Sequence, residues 1–131
     1  MLSMKLSNKI VVTGGAGFIG TNLCKKLVEL GEEVISFDDY SSGKKQNHIK
    51  GVEYLELDCC YINTLKNTPK IVFHLGEYSK VAPSFKDTTK IIETNMYSTA
   101  KVIEYCKNNS IKLVYAGSST KYADDGANES P

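Results

Sequence analysis

Along this 131-residue chain, short apolar runs alternate with longer stretches whose apolar residues recur every three or four positions. Runs rich in β-branched and aromatic residues fall at 10–13, 34–37, 52–57, 71–75 and 113–116. Each is near-continuously apolar or only partly alternating, as expected of strands buried on both faces of a parallel sheet. Between the first two, residues 18–30 set Phe18, Ile19, Leu23, Leu27 and Leu30 at a helical period. A longer helix is predicted over 85–108, with Ile92, Met96, Ile103 and Cys106 marking its buried stripe and Val102 at the margin. A short helical turn near 61–66 links the third strand to the fourth. Gly31 stands where a left-handed cap would end the first helix, Asn108, Asn109 and Ser110 close the second, and the polar stretch 41–51 reads as a loop. The order β-α-β-β-α-β implies right-handed crossovers and a doubly wound α/β sheet.

Composition adds exclusions. The chain is 41% apolar, and no run approaches the roughly 20 residues that span a bilayer. A net charge of +1 gives no hint of nucleic acid or of a membrane surface. No signal segment is legible in the first ten residues, so a reducing cytoplasmic setting is expected. Cys24, Cys59, Cys60 and Cys106 lack C-x-x-C spacing and are expected to be buried thiols; with His48 and His74 isolated, no metal site is predicted.

The chemistry-bearing stretch is TGGAGFIG at 13–20, in the turn between the first strand and first helix. There Gly14 permits a tight turn, Gly17 admits a pyrophosphate to the backbone, and Gly20 lets the helix pack closely on the strand. The free N–H groups at the helix start favour an anion. Asp38 ends the second strand, eighteen residues after Gly20, where a carboxylate accepts hydrogen bonds from ribose hydroxyls and repels a 2′-phosphate. Asp39 beside it strengthens the reading, which favours NAD over NADP. The competing reading is a loop-capping pair of Asp side chains ahead of 40–43.

These residues resemble the extended short-chain dehydrogenase/reductases, specifically the NAD-dependent epimerase/dehydratases that act on nucleotide sugars. The resemblance runs from Lys9 to Pro131 and rests on TGGAGFIG, FDDYSSG at 37–43, LDCC at 57–60, VFHLGEYSKV at 72–81, NMYSTAKVIEYC at 95–106 and VYAGSSTKYAD at 114–124. It implies a Rossmann-type sheet of strand order 3-2-1-4-5, cut before a sixth strand, forming one incomplete NAD-binding domain over 1–131. It further implies that Phe18 and Ile19 lend backbone to the pyrophosphate, and that Asp38 and Asp39 hold the adenosine ribose with Ser42 and Gly43 nearby. Asp58 and Cys59 would line the adenine end, and Leu75, Gly76 and Glu77 would run under the cofactor. Glu77 departs from the small residue usual in the family. Asn95 matches the family's helix asparagine, and Ser98 replaces the glycine common three residues later.

Ser118 matches the family's catalytic Ser/Thr, with Ser119 as fallback. In such enzymes this hydroxyl hydrogen-bonds the reacting sugar hydroxyl, a tyrosinate removes its proton, and the carbon gives hydride to the nicotinamide. The tyrosine belongs to a Tyr-x-x-x-Lys pair on the helix after the fifth strand, which the resemblance places beyond Pro131. Tyr40 with Lys44, and Tyr97 with Lys101, match that pair by letter only; the first sits in the adenosine loop and the second on an outer helix face. The expected function is the NAD-binding portion of a nucleotide-sugar epimerase or dehydratase, inactive alone, that pairs as a homo-oligomer or with a complementing chain. The alternative is a non-catalytic dinucleotide-binding or regulatory module, with Ser118 structural.

Overall fold

Val11 points to one face of a sheet while its neighbours Ile10 and Val12 point to the other, and this alternation divides the core in two. The computed structural model describes residues 7–41, 43–76 and 88–116. Its elements run β1 (Lys9–Thr13), α1 (Phe18–Glu29), β2 (Glu33–Phe37), a 3₁₀ turn (Lys45–Asn47), β3 (Val52–Leu55), a 3₁₀ segment (Cys59–Thr64), β4 (Ile71–His74), α2 (Thr88–Asn108) and β5 (Lys112–Tyr115). The strands form one sheet in the order β3-β2-β1-β4-β5. All pairs are parallel, with Val11 opposite Ile35 on one side and Val72 on the other. This is the doubly wound Rossmann-type arrangement expected from the order of elements.

On one face, Ile10, Val12 and Val34 pack against Cys24 and Leu27 of α1. On the other, Val11, Ile35, Phe37 and Val72 meet Cys59 and Ile62 of the 3₁₀ segment and Val102, Tyr105 and Cys106 of α2. Burial on both faces holds for all of β1 but the half-buried Lys9 and for all of β2 but Glu33, and fails at the flanks. In β5, Lys112, Val114 and Tyr115 are exposed and Leu113 is half-buried, since β5 is the edge of the sheet among the described residues.

Both helix stripes match expectation only in part, at Leu27 in α1 and at Val102 and Cys106 in α2. In α1 the buried residues are Gly20, Cys24 and Leu27, whereas Phe18, Ile19 and Leu30 are exposed. Phe18 and Ile19 occupy the first turn of the helix, at the carboxyl end of the strands. In α2 the inward side chains are Ser98, Val102, Tyr105 and Cys106, whereas Ile92, Met96 and Ile103 are exposed. Of the predicted stripe, Val102 and Cys106 face the core, whereas Ile92, Met96 and Ile103 are turned outward. Tyr97 is exposed, as expected of an outer face.

The caps follow the sequence closely. Gly31 has φ +84, and the Glu32 N–H returns to the Leu27 carbonyl at 3.0 Å. Ser110 takes the equivalent left-handed position after α2 at φ 54, with the Ile111 N–H donating to the Cys106 carbonyl at 2.8 Å.

All four cysteines are free; Cys24, Cys59 and Cys106 are buried and Cys60 is half-buried. Burial pushes the Cys24 and Cys106 thiols up to about 11 and that of Cys59 up to about 12, the last with help from the Asp58 charge. The unfolded thiols release their protons near the ordinary value of 9.0 while the folded ones retain them. This contribution is complete below that pH and is lost as pH rises toward 11, at up to about 1.4 kcal/mol per pH unit per thiol. The urea midpoint should therefore drop clearly between about pH 8 and about pH 10.5. An unchanged midpoint would show that the thiols ionise alike in both states.

Candidate functional site: the glycine turn and its neighbours

β1 ends in a fully buried Thr13, and the chain then reverses into α1 through Gly14 at φ +78. The next three N–H groups all go to the end of β2. Gly14 donates to the Phe37 carbonyl at 2.7 Å, Gly15 to Ser36 Oγ at 3.1 Å, and Ala16 to Asp38 Oδ2 at 2.9 Å. Gly17 is the N-cap of α1 and supplies no side-chain cap; no acidic residue occupies the first turn. The N–H groups of Phe18 and Ile19 open the helix and have no intrahelical acceptor. A helix start without its own carboxylate is suited to an external anion.

Glycine is required here by contact. A Cβ on Gly20 would overlap the Gly14 carbonyl oxygen and stand 2.8 Å from Gly15 Cα. Gly20 therefore lets α1 close on the glycine turn itself, a more local role than packing against the strand. A Cβ on Gly14 would meet Gly76 Cα at 3.0 Å, so the segment after β4 runs directly against the turn. β1 and β4 are adjacent, and the crossovers leave to opposite faces there, the switch point at which open α/β sheets bind ligands.

Asp38 is buried, and its Oδ1 also accepts the Tyr40 N–H at 2.7 Å. Asp39 is exposed and accepts the Ser41 N–H at 3.0 Å. Both carboxylates thus make the loop-capping bonds of the competing reading. In addition, Asp38 joins the loop to the glycine turn. The loop closes on the same point from its far side: the Lys44 N–H and Asn47 Nδ2 donate to the Ala16 carbonyl at 3.2 and 2.8 Å. A Cβ on Gly43 would lie 2.7 Å from Asp38 Oδ2, so Gly43 packs over that carboxylate.

Asp58 caps the 3₁₀ segment through the Cys60 N–H at 2.8 Å, and Oδ1 also accepts from Ser98 Oγ at 2.7 Å. The serine that replaces a glycine of the family pattern thereby ties α2 to the segment after β3. Asn95 is half-buried one helical turn earlier on α2, and Leu75 is half-buried at the end of β4. The structure brings Gly14, Gly17, Phe18, Ile19, Gly20, Asp38, Gly43, Leu75 and Gly76 around the carboxyl ends of β1, β2 and β4. Ser42, Glu77 and Ser118 lie outside the described residues, and among the described residues no group of three His, Cys, Asp or Glu side chains could hold a metal ion.

Gly15, Ser36, Thr13 and His74 were missed as site-forming residues. Gly15 has no room for a Cβ beside Ser36 Oγ, and Ser36 is fully buried in an otherwise apolar strand interior. The doubled glycine and the lone hydroxyl in that strand were the available signals.

Fold and turn geometry together define a Rossmann-type α/β domain. The model of the NAD dependent epimerase/dehydratase family matches residues 10–131, and the chain belongs to that family. A UDP-N-acetyl-alpha-D-glucosaminuronate decarboxylase of Bacillus cytotoxicus is 29% identical over 123 residues, covering 89% of this chain and 38% of the relative. A crystal structure of a UDP-galactose 4-epimerase superposes with a TM-score of 0.80 at 36% identity, covering 91% of this chain and 41% of that one. The Thermus thermophilus UDP-glucose 4-epimerase in complex with NAD gives 0.75 at 30% identity, covering 84% and 37%. The chain thus spans well under half the length of these proteins. Among the described residues no helix is long and apolar enough to cross a membrane.

Proposed function

We propose that this chain is the NAD-binding portion of a nucleotide-sugar epimerase or dehydratase. One observation carries the reading. The N–H groups of Gly14, Gly15 and Ala16 are spent on the end of β2 and on Asp38 just beyond it, while Phe18 and Ile19 open a helix with no side-chain cap and their N–H groups have no intrahelical acceptor. The residues present fit a dinucleotide: the first turn of α1 takes the pyrophosphate, and the uncommitted lone pairs of Asp38 take the ribose hydroxyls, with Asp39, Ser42 and Gly43 alongside. Asp58 and Cys59 border the adenine, and Leu75, Gly76 and Glu77 run under the cofactor, with Asn95 among its binding residues. When bound, NAD supplies a hydride acceptor for a sugar carbon. Ser118 then holds the reacting sugar hydroxyl by a hydrogen bond. The exposed Ile92, Met96 and Ile103 of α2 support pairing with a second copy or a complementing chain.

Calorimetric titration tests the cofactor assignment. NAD and ADP-ribose should each bind with one-to-one stoichiometry, and NADP should bind at least about tenfold more weakly, because a 2′-phosphate would be placed against the buried Asp38 carboxylate. Equal affinity for NAD and NADP would remove Asp38 as the ribose reader, and no binding of any of the three would sink the proposal.

A further inference from the structure

We propose that His74 is a positioning residue: acting through Thr13, it holds the Leu75 and Gly76 backbone against the glycine turn. Its consequence for cofactor affinity rests on the NAD reading above; the positioning itself does not.

Thr13 Oγ1 accepts the N–H of Leu75 at 2.9 Å and that of Gly76 at 2.8 Å, the former shared with the Thr13 carbonyl. The same oxygen lies 2.8 Å from His74 Nδ1. A hydroxyl offers two lone pairs and one proton. Both lone pairs are taken by N–H donors, so the proton is directed at Nδ1. Nδ1 is therefore an acceptor, the ring is neutral, and its proton resides on Nε2, which donates to Thr99 Oγ1 of α2 at 2.9 Å. The chain of bonds runs from α2 through β4 and β1 to the backbone beside the turn.

Space around this chain of bonds is tight. Thr13 is fully buried and His74 nearly so. A Cβ on Gly76 would stand 2.9 Å from Thr13 Oγ1, and one on Gly14 would stand 3.0 Å from Gly76 Cα. The Tyr115 ring of β5, a titratable group, stacks on His74 with centroids 5.6 Å apart, and the uncharged Thr13 and Thr99 bond its two ring nitrogens. A second proton, on Nδ1, would set a donor against the Thr13 hydroxyl. That hydroxyl could then turn its proton elsewhere only by giving up Leu75 or Gly76. Acid should therefore loosen the segment after β4.

The test uses isotope-labelled full chain, wild type and His74→Asn, between about pH 8 and about pH 5.5, the range in which histidines change charge. Asparagine presents an amide oxygen near the Nδ1 position and gains no proton. Ring nitrogen NMR of the wild type at the higher pH should show the Nε2–H tautomer, and acidification should move the Leu75 and Gly76 amide signals in wild type but not in the variant. Where NAD binds, its dissociation constant should rise about tenfold on acidification in wild type and stay nearly constant in His74→Asn. An Nδ1–H tautomer, or identical pH responses in the two proteins, overturns the proposal. Absence of NAD binding at the higher pH sinks the cofactor reading alone, since the amide shifts still decide the positioning role. If His74→Asn fails to fold, Thr13→Ser and Thr13→Val decide: serine should keep the Nε2–H tautomer and the Gly76 signal, valine should lose both, and identical spectra would refute the relay.

Discussion

Gly20→Ala is expected to be the most damaging single-methyl change in this protein. The added carbon would overlap the Gly14 carbonyl oxygen, and its next neighbours, Gly14 C and Gly15 Cα, are 2.8 Å away. All three are backbone atoms, so no flexible side chain can yield. The turn cannot retreat either, because its Gly14, Gly15 and Ala16 N–H groups are anchored to β2. Relief requires α1 to tilt off the sheet, which separates Cys24 and Leu27 from Ile10, Val12 and Val34. Overpacking typically costs about 1–3 kcal/mol, and a site where only backbone could yield stands at the upper end, about 3 kcal/mol. For a domain of this size that is a fall in Tm on the order of 10 °C or more. Helix propensity alone would make the same change stabilising by about 1 kcal/mol, so thermal denaturation distinguishes the two effects by sign. As a control, Gly31→Ala faces no atom within 4 Å and is disfavoured only by its φ of +84. It should cost on the order of 1 kcal/mol. If Gly20→Ala melts at or above the wild-type temperature, the close approach of helix and turn is not what holds the site.

Asp38→Asn should produce the second large effect, through geometry as much as charge. The carboxylate accepts the Ala16 N–H on one oxygen and the Tyr40 N–H on the other. An asparagine has one acceptor oxygen, so its NH2 group must confront one of those donors. Leaving a buried N–H unpaired costs about 1–3 kcal/mol. The bond from Tyr40 matters further because that residue holds φ 62, a left-handed conformation uncommon outside glycine. Releasing it lets the loop leave the turn, where the Lys44 N–H and Asn47 Nδ2 close on the Ala16 carbonyl. Urea denaturation should show a loss of about 2 kcal/mol, and NAD affinity should fall at least tenfold. Asp39→Asn, on an exposed side chain that caps only Ser41, should change stability by less than about 0.5 kcal/mol. Equal urea midpoints for the two variants would reduce Asp38 to an ordinary loop cap.

Much of this architecture was legible in advance because its signals are local. β-branched runs produced five strands, and Gly31 and Ser110 stand in the left-handed positions where caps were expected. The order of elements, together with the handedness of crossovers, was enough for a doubly wound sheet, while the strand order 3-2-1-4-5 came from the family resemblance. Spacing alone picked out Gly14, Gly20 and Asp38, whose contacts now explain the residue types. The stripes on the helices were less legible. Ile92, Met96 and Ile103 form a true helical period, but periodicity reports that an apolar face exists and not which neighbour covers it.

Sequence by itself therefore determined the element types and the glycine-dependent reversal, which depend on residues close together in the chain, and pointed to the family through six short motifs, each of them local. Only the tertiary structure decided which face of α2 is buried, that Ser36 and Asp38 hold the turn from the next strand, and that Ser98 pins Asp58 forty residues away. The same is true of Thr13, whose hydroxyl meets His74 and Gly76 more than sixty positions along. The physical reason is that a hydrogen bond is satisfied within about 3 Å of space. Sheet register brings such partners together across any length of intervening chain, and no local pattern in the sequence records the pairing.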